Sequence, residues 1–345
     1  MAIGVGAVLR GVMRVSVIIP TYNRADLLPE TLDAIRAQTL PPAEIIVVDD
    51  GSTDATPALL AAMADVRVIR VANGGDLVAR NIGLAAATAP YVAFCDSDDL
   101  WRPEFLAAMA GLFEAVPGLP AAYGDFVLVQ DRRWTTDGKF AAAPPGFWDG
   151  LRRLGPDRAV FDQPIVARLI AFQPLFVSCL LARADWLRGI GGWDASVGRR
   201  LAGDFATALR LAQHAPLGFL LAPLVGIRKH AANISGNDVA TALGEAEVLE
   251  HVLATRPELA PLAATIGASI RRRREAALAG AFVERDFAAV TRIAGLLGPG
   301  PRRLSGRAKQ LVATLPPAPR AALVRLLLAI GTARTRVHFS LSSGT

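Results

Sequence analysis

Short apolar runs alternate with helically spaced apolar residues through the first hundred positions of the chain. Four of these runs are predicted to be strands: 14–20, which is rich in β-branched residues, 44–48, 66–71 and 91–95. Between them, residues 25–38 and 76–87 carry apolar side chains at helical spacing. Strands that alternate with helices predict an α/β fold, with a mainly parallel central sheet whose faces are covered by helices.

Polar clusters follow three of the four predicted strands, at residues 21–23, 49–50 and 96–99. Because the carboxyl ends of parallel strands meet at one edge of a sheet, we expect these clusters to converge where α/β proteins bind their ligands. The sequence therefore predicts one composite ligand site rather than three separate loops.

The third cluster, Asp96-Ser97-Asp98-Asp99, holds three carboxylates. Asp96 and Asp98 would point the same way if the chain stayed extended, because side chains alternate faces along a strand. Two carboxylates so close need a cation between them, or one must take up a proton. Mg²⁺ is usually held by carboxylates together with phosphate oxygens, and Mn²⁺ favours similar ligands. The alternative is an acidic loop in solvent, and this segment by itself does not decide between the two.

Four motifs in sequence order resemble those of the family 2 glycosyltransferases. They are Val-Ser-Val-Ile-Ile-Pro-Thr-Tyr-Asn-Arg at 15–24, Ile-Val-Val-Asp-Asp-Gly-Ser-Thr-Asp at 46–54, Ala-Arg-Asn-Ile-Gly at 79–83 and the pair Asp96-x-Asp98. Segments at 191–194, 203–212 and 228–235 resemble the acceptor-side and closing motifs of the family. The resemblance covers residues 14–238 and weakens between 130 and 174.

The resemblance implies a domain organisation. Residues 14–240 are expected to form a catalytic domain of GT-A-like nucleotide-binding fold, with a donor-binding half at 14–125 and an acceptor half at 126–240. Residues 241–345 are expected to add a basic α-helical extension, and residues 1–13 a disordered leader.

The resemblance also implies an activity. It predicts an inverting, metal-dependent glycosyltransferase that moves a sugar from a nucleotide-diphosphate sugar, expected to be a UDP-sugar, to a saccharide or lipid-linked acceptor in cell-surface glycan synthesis. The cofactor, Mn²⁺ or Mg²⁺, would neutralise the leaving diphosphate as a Lewis acid. Asp98 is the first choice for its direct ligand, while Asp96 is expected to contact the ribose or the metal. Asp99, one residue out of phase, is expected to orient the loop.

Five further residues of these motifs are expected to bind the nucleotide sugar: Pro20, Thr21, Tyr22, Asp50 and Arg80. Asp50 would accept a hydrogen bond from the uracil edge, or else supply a charge at a helix N-terminus. Tyr22 would stack near the base, or simply pack. Arg80 would reach the diphosphate, or form a salt bridge on a helix surface.

Asp204 is the candidate general base, which would take the proton of the acceptor hydroxyl as it attacks the anomeric carbon. The residue opens a helical pattern, so the alternative is an N-cap aspartate. The family usually has an acidic residue just before this position, where this chain has Gly203.

The residues next to His230 in the sequence do not indicate which side chain it contacts. The resemblance implies that it reaches the metal or the diphosphate, which would make it a metal ligand beside Asp98 and Asp96. A structural histidine is the alternative.

Composition predicts a cytoplasmic enzyme that is soluble or peripheral on the inner face of the membrane. The chain is 52% apolar with a mean hydropathy of +0.36, yet no uninterrupted apolar run reaches the roughly 18 residues of a membrane span. Its two cysteines do not indicate a disulfide framework. Residues 1–12 lack a small-residue cleavage site after an apolar core, so we expect no signal peptide there.

The tail is strongly basic, since no acidic residue occurs after Asp286. Residues 321–330 are apolar except for Arg325, a stretch too short to span a membrane but suited to lying on its surface. A pI near 10.0 is also typical of nucleic-acid binding, but there is no nucleic-acid motif and few aromatic residues lie among the basic ones. We therefore expect an anionic membrane surface and no nucleic acid as partner, with an ordinary helical cap as the alternative.

Two other classes of protein share parts of this pattern. A nucleotidyltransferase would add a glycine-rich, lysine-bearing triphosphate loop, which is not found in the sequence. A non-catalytic nucleotide-sugar-binding module would have lost the acidic pair, whereas Asp96 and Asp98 are present.

Overall fold

The computed structural model describes residues 13–230, 237–298, 304–325 and 327. The predicted leader, apart from Met13, lies outside the described residues, as do 231–236 in the closing motif. The chain divides into two compact units: a first unit of the described residues up to 199 with 203–230, and a second unit of 200–202 with the described residues from 237 onward. The predicted domain boundary after residue 240 stays a prediction.

The first unit is a sheet with flanking helices. Its strands are β1 (Val15–Thr21), β2 (Glu44–Asp49), β3 (Arg67–Arg70), β4 (Tyr91–Phe94), β5 (Leu100–Trp101), β6 (Ala121–Gln130), β7 (Arg133–Trp134), β8 (Arg152–Arg153), β9 (Arg158–Phe161), β10 (Leu180–Arg183) and β11 (Leu217–Arg228). Its helices are α1 (Leu28–Arg36), α2 (Thr56–Ala61), α3 (Asp76–Ala86), α4 (Phe105–Ala115), α5 (Val166–Ala171), α6 (Ala184–Gly189) and α7 (Asp204–Leu211). The four predicted strands are β1 to β4, and the two predicted helices are α1 and α3.

The sheet is mixed but mainly parallel. Within the described residues its order is β3-β2-β1-β4-β10-β6-β11-β9-β8, with β5 paired to β11 and β7 to β6. Strands β1 to β4 are mutually parallel, and β6 is parallel to β11. Because β10 runs antiparallel to both β4 and β6, strands β6 and β11 point the same way as β1, β2 and β4. The carboxyl ends of these five strands therefore lie at one edge of the sheet.

Strands β1 and β2 read as continuous apolar runs because both faces of the sheet are covered here. Every residue of β1 is buried, and so are all but the first of β2. Helix α3 packs on this pair through Gly83, where an added Cβ would come within 2.4 Å of Ile18 Cγ2 and 3.3 Å of Val48 Cγ2. The glycine of the 79–83 motif is thus explained by close helix–strand packing.

We expect Gly83→Ala to lower the free energy of unfolding by about 1–3 kcal/mol, the usual cost of overpacking a core. Ile18 is β-branched and lies in a buried strand, so it cannot move aside. The matched control is Gly189→Ala at the end of α6, where an added Cβ meets nothing within 4 Å. Its effect should stay within about 0.5 kcal/mol. Denaturant unfolding of both variants measures the difference, and equal effects would contradict the packing described.

The second unit is helical in its described part, as predicted for the C-terminal extension. Its helices are α8 (Asp238–Thr255), α9 (Ala263–Val283), α10 (Phe287–Leu296) and α11 (Leu304–Ala313), and their core includes Leu278, Phe282 and Val290. Two arginines of the run at 271–274 hold α9 to α8: Arg273 contacts Glu245 at 2.8 Å, and Arg274 contacts Glu250 at 2.7 Å.

No helix in the described part of the chain combines the length and apolar character needed to cross a membrane. The apolar stretch predicted at 321–330 continues a helix from residue 317 as far as 325. Beyond that point only residue 327 is described.

Candidate active site

Polar segments meet at the carboxyl edge of the sheet in the first unit. Strand β1 ends at Thr21, β2 at Asp49, β4 leads into 96–99, and β11 leads into His230. The convergence predicted for the first three segments is present. Strand β11 adds a fourth segment because it is parallel to the others. Its carboxyl end therefore places His230 close in space to Asp98, which lies more than a hundred positions earlier in the sequence.

The loops after β1 and β2 support each other. The backbone N–H of Asp50 donates to the carbonyl of Thr21 at 2.9 Å. The Asp50 carboxylate accepts the N–H of Gly74 at 2.7 Å and of Gly75 at 2.8 Å. Gly75 is the N-cap of α3, so Asp50 does supply the charge at a helix N-terminus that was its alternative role. Its contact with uracil stays a prediction.

The other predicted donor residues of β1 differ in exposure. Pro20 and Thr21 are buried within the strand, and the Thr21 hydroxyl has no hydrogen-bond partner in the described part of the chain. Tyr22 is 46% exposed at the rim of the site. Simple packing therefore does not explain Tyr22, and its ring is accessible for stacking on a base.

Arg80 is buried and paired with two carboxylates. Its Nη2 donates to Asp96 Oδ1 at 2.7 Å, and its Nη1 contacts Asp76 one turn earlier on α3. Burial by itself would lower the pKa of the guanidinium, but the charges of Asp96 and Asp76 raise it. Its charge centre also lies 5.1 Å from the middle of the Trp193 ring. Arg80 thus forms the helix salt bridge that was its alternative role, with Asp76, and it also holds Asp96 in place. Its contact with a diphosphate stays a prediction.

The expectation that Asp96 and Asp98 point the same way is wrong, because the chain turns directly after β4. The N–H of Asp99 donates to the Asp96 carbonyl at 3.1 Å and closes a turn over 96–99. The turn removes the strand alternation on which that expectation rested. Asp96 faces Arg80, whereas Asp98 faces His230 and Arg24. Each carboxylate therefore has cationic or hydrogen-bonding partners of its own.

Asp98 and His230 form the closest contact between predicted metal ligands. His230 Nε2 lies 3.0 Å from Asp98 Oδ2, and both side chains are about one-sixth exposed, at 17% and 16%. Arg24 Nε lies 3.6 Å from the same oxygen. An oxygen and a nitrogen donor thus converge beside a cation, at a place that solvent and small ligands can reach.

This pair fits a divalent metal that binds together with a substrate. The described residues contain no group of three or more His, Cys, Asp or Glu side chains arranged to hold a metal. Mg²⁺ and Mn²⁺ are commonly held by one or two protein ligands, with substrate phosphate and water completing the shell. Asp98 and His230 would supply the two, and Asp96 is largely committed to Arg80. The identity of the metal and its ligands stay predictions.

Asp99 is buried under the turn and ties it to two distant segments. Its carboxylate accepts the Ser178 hydroxyl at 2.5 Å and the backbone N–H of Arg228 at 3.1 Å. The same Ser178 oxygen accepts the N–H of Asp96 at 3.0 Å. Burial, followed by the charges of Asp98 and Asp96, raises the pKa of Asp99 well above its usual range. Asp99 therefore orients the loop, the part that the sequence indicated for it.

Asp204 is the first residue of α7, and Gly203 occupies the N-cap position. The alternative that Asp204 is the N-cap is therefore wrong, because that position lies one residue earlier. The charge of Asp204 contributes, after burial and the two paired carboxylates, to the pKa of Arg80. It also contributes, after burial, to the raised pKa of Tyr123. Asp204 thus lies within electrostatic range of the Arg80–Asp96 pair, and its role as the general base stays a prediction.

Three contributors to this site were missed. Ser178 lies 79 positions after Asp99 in a segment without a motif, so no sequence signal could have found it. Arg24 and Arg228 both belong to recognised motifs, at 15–24 and 228–235. Their presence in those motifs was the available signal, but only the structure shows that both contact Asp98.

The sequence model of the family described as "Glycosyl transferase family 2" matches residues 16–140. These residues include β1 to β4, the acidic residues at 49–50 and 96–99, and Arg80. Residues 16–140 are a family 2 glycosyltransferase domain. The family resemblance seen in the sequence is thereby confirmed for these residues.

The relatives of this domain occur in several bacteria. An uncharacterised glycosyltransferase of Nostoc sp. is 39% identical over 107 residues, which is 30% of this chain and 33% of the relative. The succinoglycan biosynthesis protein ExoO of Rhizobium meliloti is 43% identical over 98 residues, 28% of each chain. The putative teichuronic acid biosynthesis glycosyltransferase TuaG of Bacillus subtilis is 43% identical over 97 residues, 27% of this chain and 38% of the relative. The match spans about a third of the length of these relatives.

Solved structures resemble the chain in fold. S. aureus TarS 1–349 in complex with UDP has a TM-score of 0.53 at 19% identity, over 87% of this chain and 89% of that one. The same protein in complex with UDP-GlcNAc also has a TM-score of 0.53, at 18% identity. The predicted GT-A-like fold class of the glycosyltransferase domain is confirmed.

Proposed function

We propose that this protein is an inverting, metal-dependent glycosyltransferase. It would move a sugar from a nucleotide-diphosphate sugar to a saccharide or lipid-linked acceptor in cell-surface glycan synthesis. The observation that carries the proposal is the meeting of Asp98 and His230 at 3.0 Å, beside the Arg80–Asp96 pair and within electrostatic range of Asp204. The names of ExoO and TuaG, which refer to succinoglycan and teichuronic acid biosynthesis, support the glycan class.

The residues divide the chemistry of transfer between them. Asp204 takes the proton from the acceptor hydroxyl, so that the oxygen can form a bond to the anomeric carbon. The bond from that carbon to the diphosphate oxygen breaks on the opposite side, which inverts the configuration. A divalent metal bound at Asp98 and His230 would neutralise the charge that develops on the leaving diphosphate. Arg24, 3.6 Å from Asp98, adds a positive charge at the same place.

A uridine nucleotide is the proposed donor base. The TarS structures hold UDP and UDP-GlcNAc and share the fold of this chain. Tyr22 offers an exposed ring at the end of β1. The Asp50 carboxylate lies at the neighbouring end of β2, although two backbone N–H groups already occupy part of its accepting capacity.

Isothermal titration of the purified chain with UDP, with and without Mn²⁺, tests the proposed donor site. We expect UDP to bind, and to bind at least about tenfold more tightly with Mn²⁺, because a metal held by Asp98 and His230 would also attract the diphosphate. A nucleotidyltransferase would instead release pyrophosphate from a nucleoside triphosphate and a sugar phosphate. That release, without UDP binding, would overturn the proposal.

The second unit is proposed to lie against the anionic inner face of the cytoplasmic membrane. Residues 232–345 contain 15 Lys and Arg against 8 Asp and Glu, whereas residues 1–231 contain 22 against 23. Because Arg273 and Arg274 are paired with Glu245 and Glu250, the attraction would come from other exposed cations such as Arg292, Arg307 and Arg325. Each contributes on the order of 1 kcal/mol near an anionic surface.

Sedimentation with vesicles measures this attachment. The full chain should bind anionic vesicles better than neutral ones, and should lose that binding as salt is added. Replacing Arg292, Arg307 and Arg325 by Gln should weaken binding. Replacing three exposed first-unit arginines, Arg67, Arg152 and Arg153, by Gln changes the net charge equally and should leave vesicle binding intact. Equal loss in both triple variants would show that only total charge matters, and no preference for anionic vesicles would leave the second unit as a helical cap.

A further inference from the structure

Arg228, the last residue of β11, joins three parts of the first unit. Its Nε donates to the carbonyl of Asp98 at 2.5 Å, and its Nη1 to Glu30 Oε2 on α1 at 2.6 Å. Its Nη2 donates to the hydroxyl of Thr31 at 3.0 Å, and its backbone N–H to Asp99 Oδ1 at 3.1 Å. The residue is 9% exposed. All of its guanidinium nitrogens are thus used in joining α1 to the turn after β4.

The turn is held from the same side by Thr31. The Thr31 hydroxyl donates to the carbonyl of Ser97 at 3.1 Å and accepts from Arg228. Two successive carbonyls of the turn, those of Ser97 and Asp98, are therefore bound by a connected pair of side chains. Thr31 is fully buried, so water does not compete for these bonds.

The position of Arg228 in the chain matters as much as its contacts. His230 follows two residues later, and its Nε2 lies 3.0 Å from Asp98 Oδ2. Arg228 therefore binds the backbone of Asp98 while it belongs to the segment that carries His230. Arg228 thus links the two predicted metal ligands, although they lie 132 positions apart in sequence.

We propose that Arg228 is a positioning residue for the metal–diphosphate site, acting with Thr31 to hold Asp98 against His230. The inference rests on the proposed function, because it assigns Asp98 and His230 as the pair that receives the metal. Lysine would keep the positive charge but not the planar fork that contacts Asp98, Glu30 and Thr31 together. Groups that orient metal ligands typically affect metal affinity by about 10- to 100-fold.

The test is Mn²⁺ binding to the UDP-saturated protein, followed by the paramagnetic resonance signal of free Mn²⁺. We expect Arg228→Lys to bind Mn²⁺ about 10- to 100-fold more weakly than the parent chain. Nucleotide release should fall at low Mn²⁺ and recover as Mn²⁺ is raised, which a merely destabilised fold would not do. The matched control is Arg152→Lys, since Arg152 also makes a forked pair, with Asp162 at 2.7 and 2.8 Å, but on an exposed surface. It should bind Mn²⁺ as the parent does.

A second variant keeps the inference testable if Arg228→Lys fails to fold. Thr31→Val keeps the shape of the side chain and replaces the hydroxyl by a methyl group, so Mn²⁺ affinity should fall by about fivefold in a chain that is less stable but still folds. Unchanged Mn²⁺ affinity in whichever of the two variants folds would overturn the positioning role. If the parent chain itself binds no Mn²⁺ with UDP, the proposed function fails first, and the two failures are thus distinguished.

Discussion

Asp98→Ala is expected to reduce nucleotide diphosphate release by about 10²- to 10³-fold while the chain stays folded. Two effects act together. One of the two proposed metal ligands is lost, and the charge on the leaving diphosphate is left uncompensated. Arg24 and His230 also lose the carboxylate that lies 3.6 and 3.0 Å from them. Release is measured from a UDP-sugar at saturating Mn²⁺, with circular dichroism to check the fold.

Asp65→Ala is the control for this loss. Asp65 is also paired with an arginine, Arg36, at 2.7 Å, but its side chain is 56% exposed on a surface away from the sheet edge. Its removal should leave turnover near that of the parent. Full activity and unchanged metal dependence in Asp98→Ala would refute the assignment of Asp98.

Asp204→Asn is expected to lower transfer by about 10²-fold or more while UDP affinity is retained. The amide keeps the size of the side chain but cannot accept the proton of the acceptor hydroxyl. Since Gly203 occupies the N-cap position, the substitution removes no cap. Transfer is measured with an acceptor-dependent assay, and donor binding by titration calorimetry.

Asp238→Asn is the matched control, because Asp238 is likewise the first residue of a helix, α8. Both substitutions remove a negative charge from a helix N-terminus, where each such charge contributes roughly 0.3–1 kcal/mol. The two variants should therefore show similar small stability changes but very different transfer rates. Comparable rates would mean that Asp204 only stabilises its helix.

Much of the fold could be predicted from the sequence, because the local patterns of the strands and helices agree with the topology of the sheet. The apolar runs and helical spacing predict β1 to β4, α1 and α3, and the rule for parallel strands then predicts the edge where residues 21, 50 and 96 meet. Predictions of this kind need only the period of the pattern and the direction of the chain. The segment from 130 to 174 has no such period, and its short strands β8 and β9 could be found only by their pairing with each other and with β11.

Individual residues of the site could be predicted from the sequence, but the contacts between them could not. The motifs point to Asp96, Asp98, Asp204 and His230, yet strand alternation gave the wrong direction for the two carboxylates, because a turn begins at Asp96. That turn is fixed by Ser178 and Arg228, which arrive from other segments of the sheet. Sequence spacing cannot encode contacts between positions so far apart when no pattern links them.

The Arg80 contacts show the same limit. Spacing of four residues from Asp76 indicates a pair on one face of α3, and the structure contains that pair. The second partner, Asp96, follows another strand, and no spacing within α3 indicates it. Arg80 is thus both the residue expected to contact the diphosphate and the residue observed to pair with Asp96.

The most direct measurement of the central claim is nucleotide diphosphate release by the full chain from a panel of nucleotide sugars, with Mn²⁺ and again with excess chelator. We expect release from at least one UDP-sugar that requires the metal and is lost in Asp98→Ala. Release that is unaffected by the chelator, or no release from any nucleotide sugar by a chain that binds UDP and Mn²⁺, would contradict it.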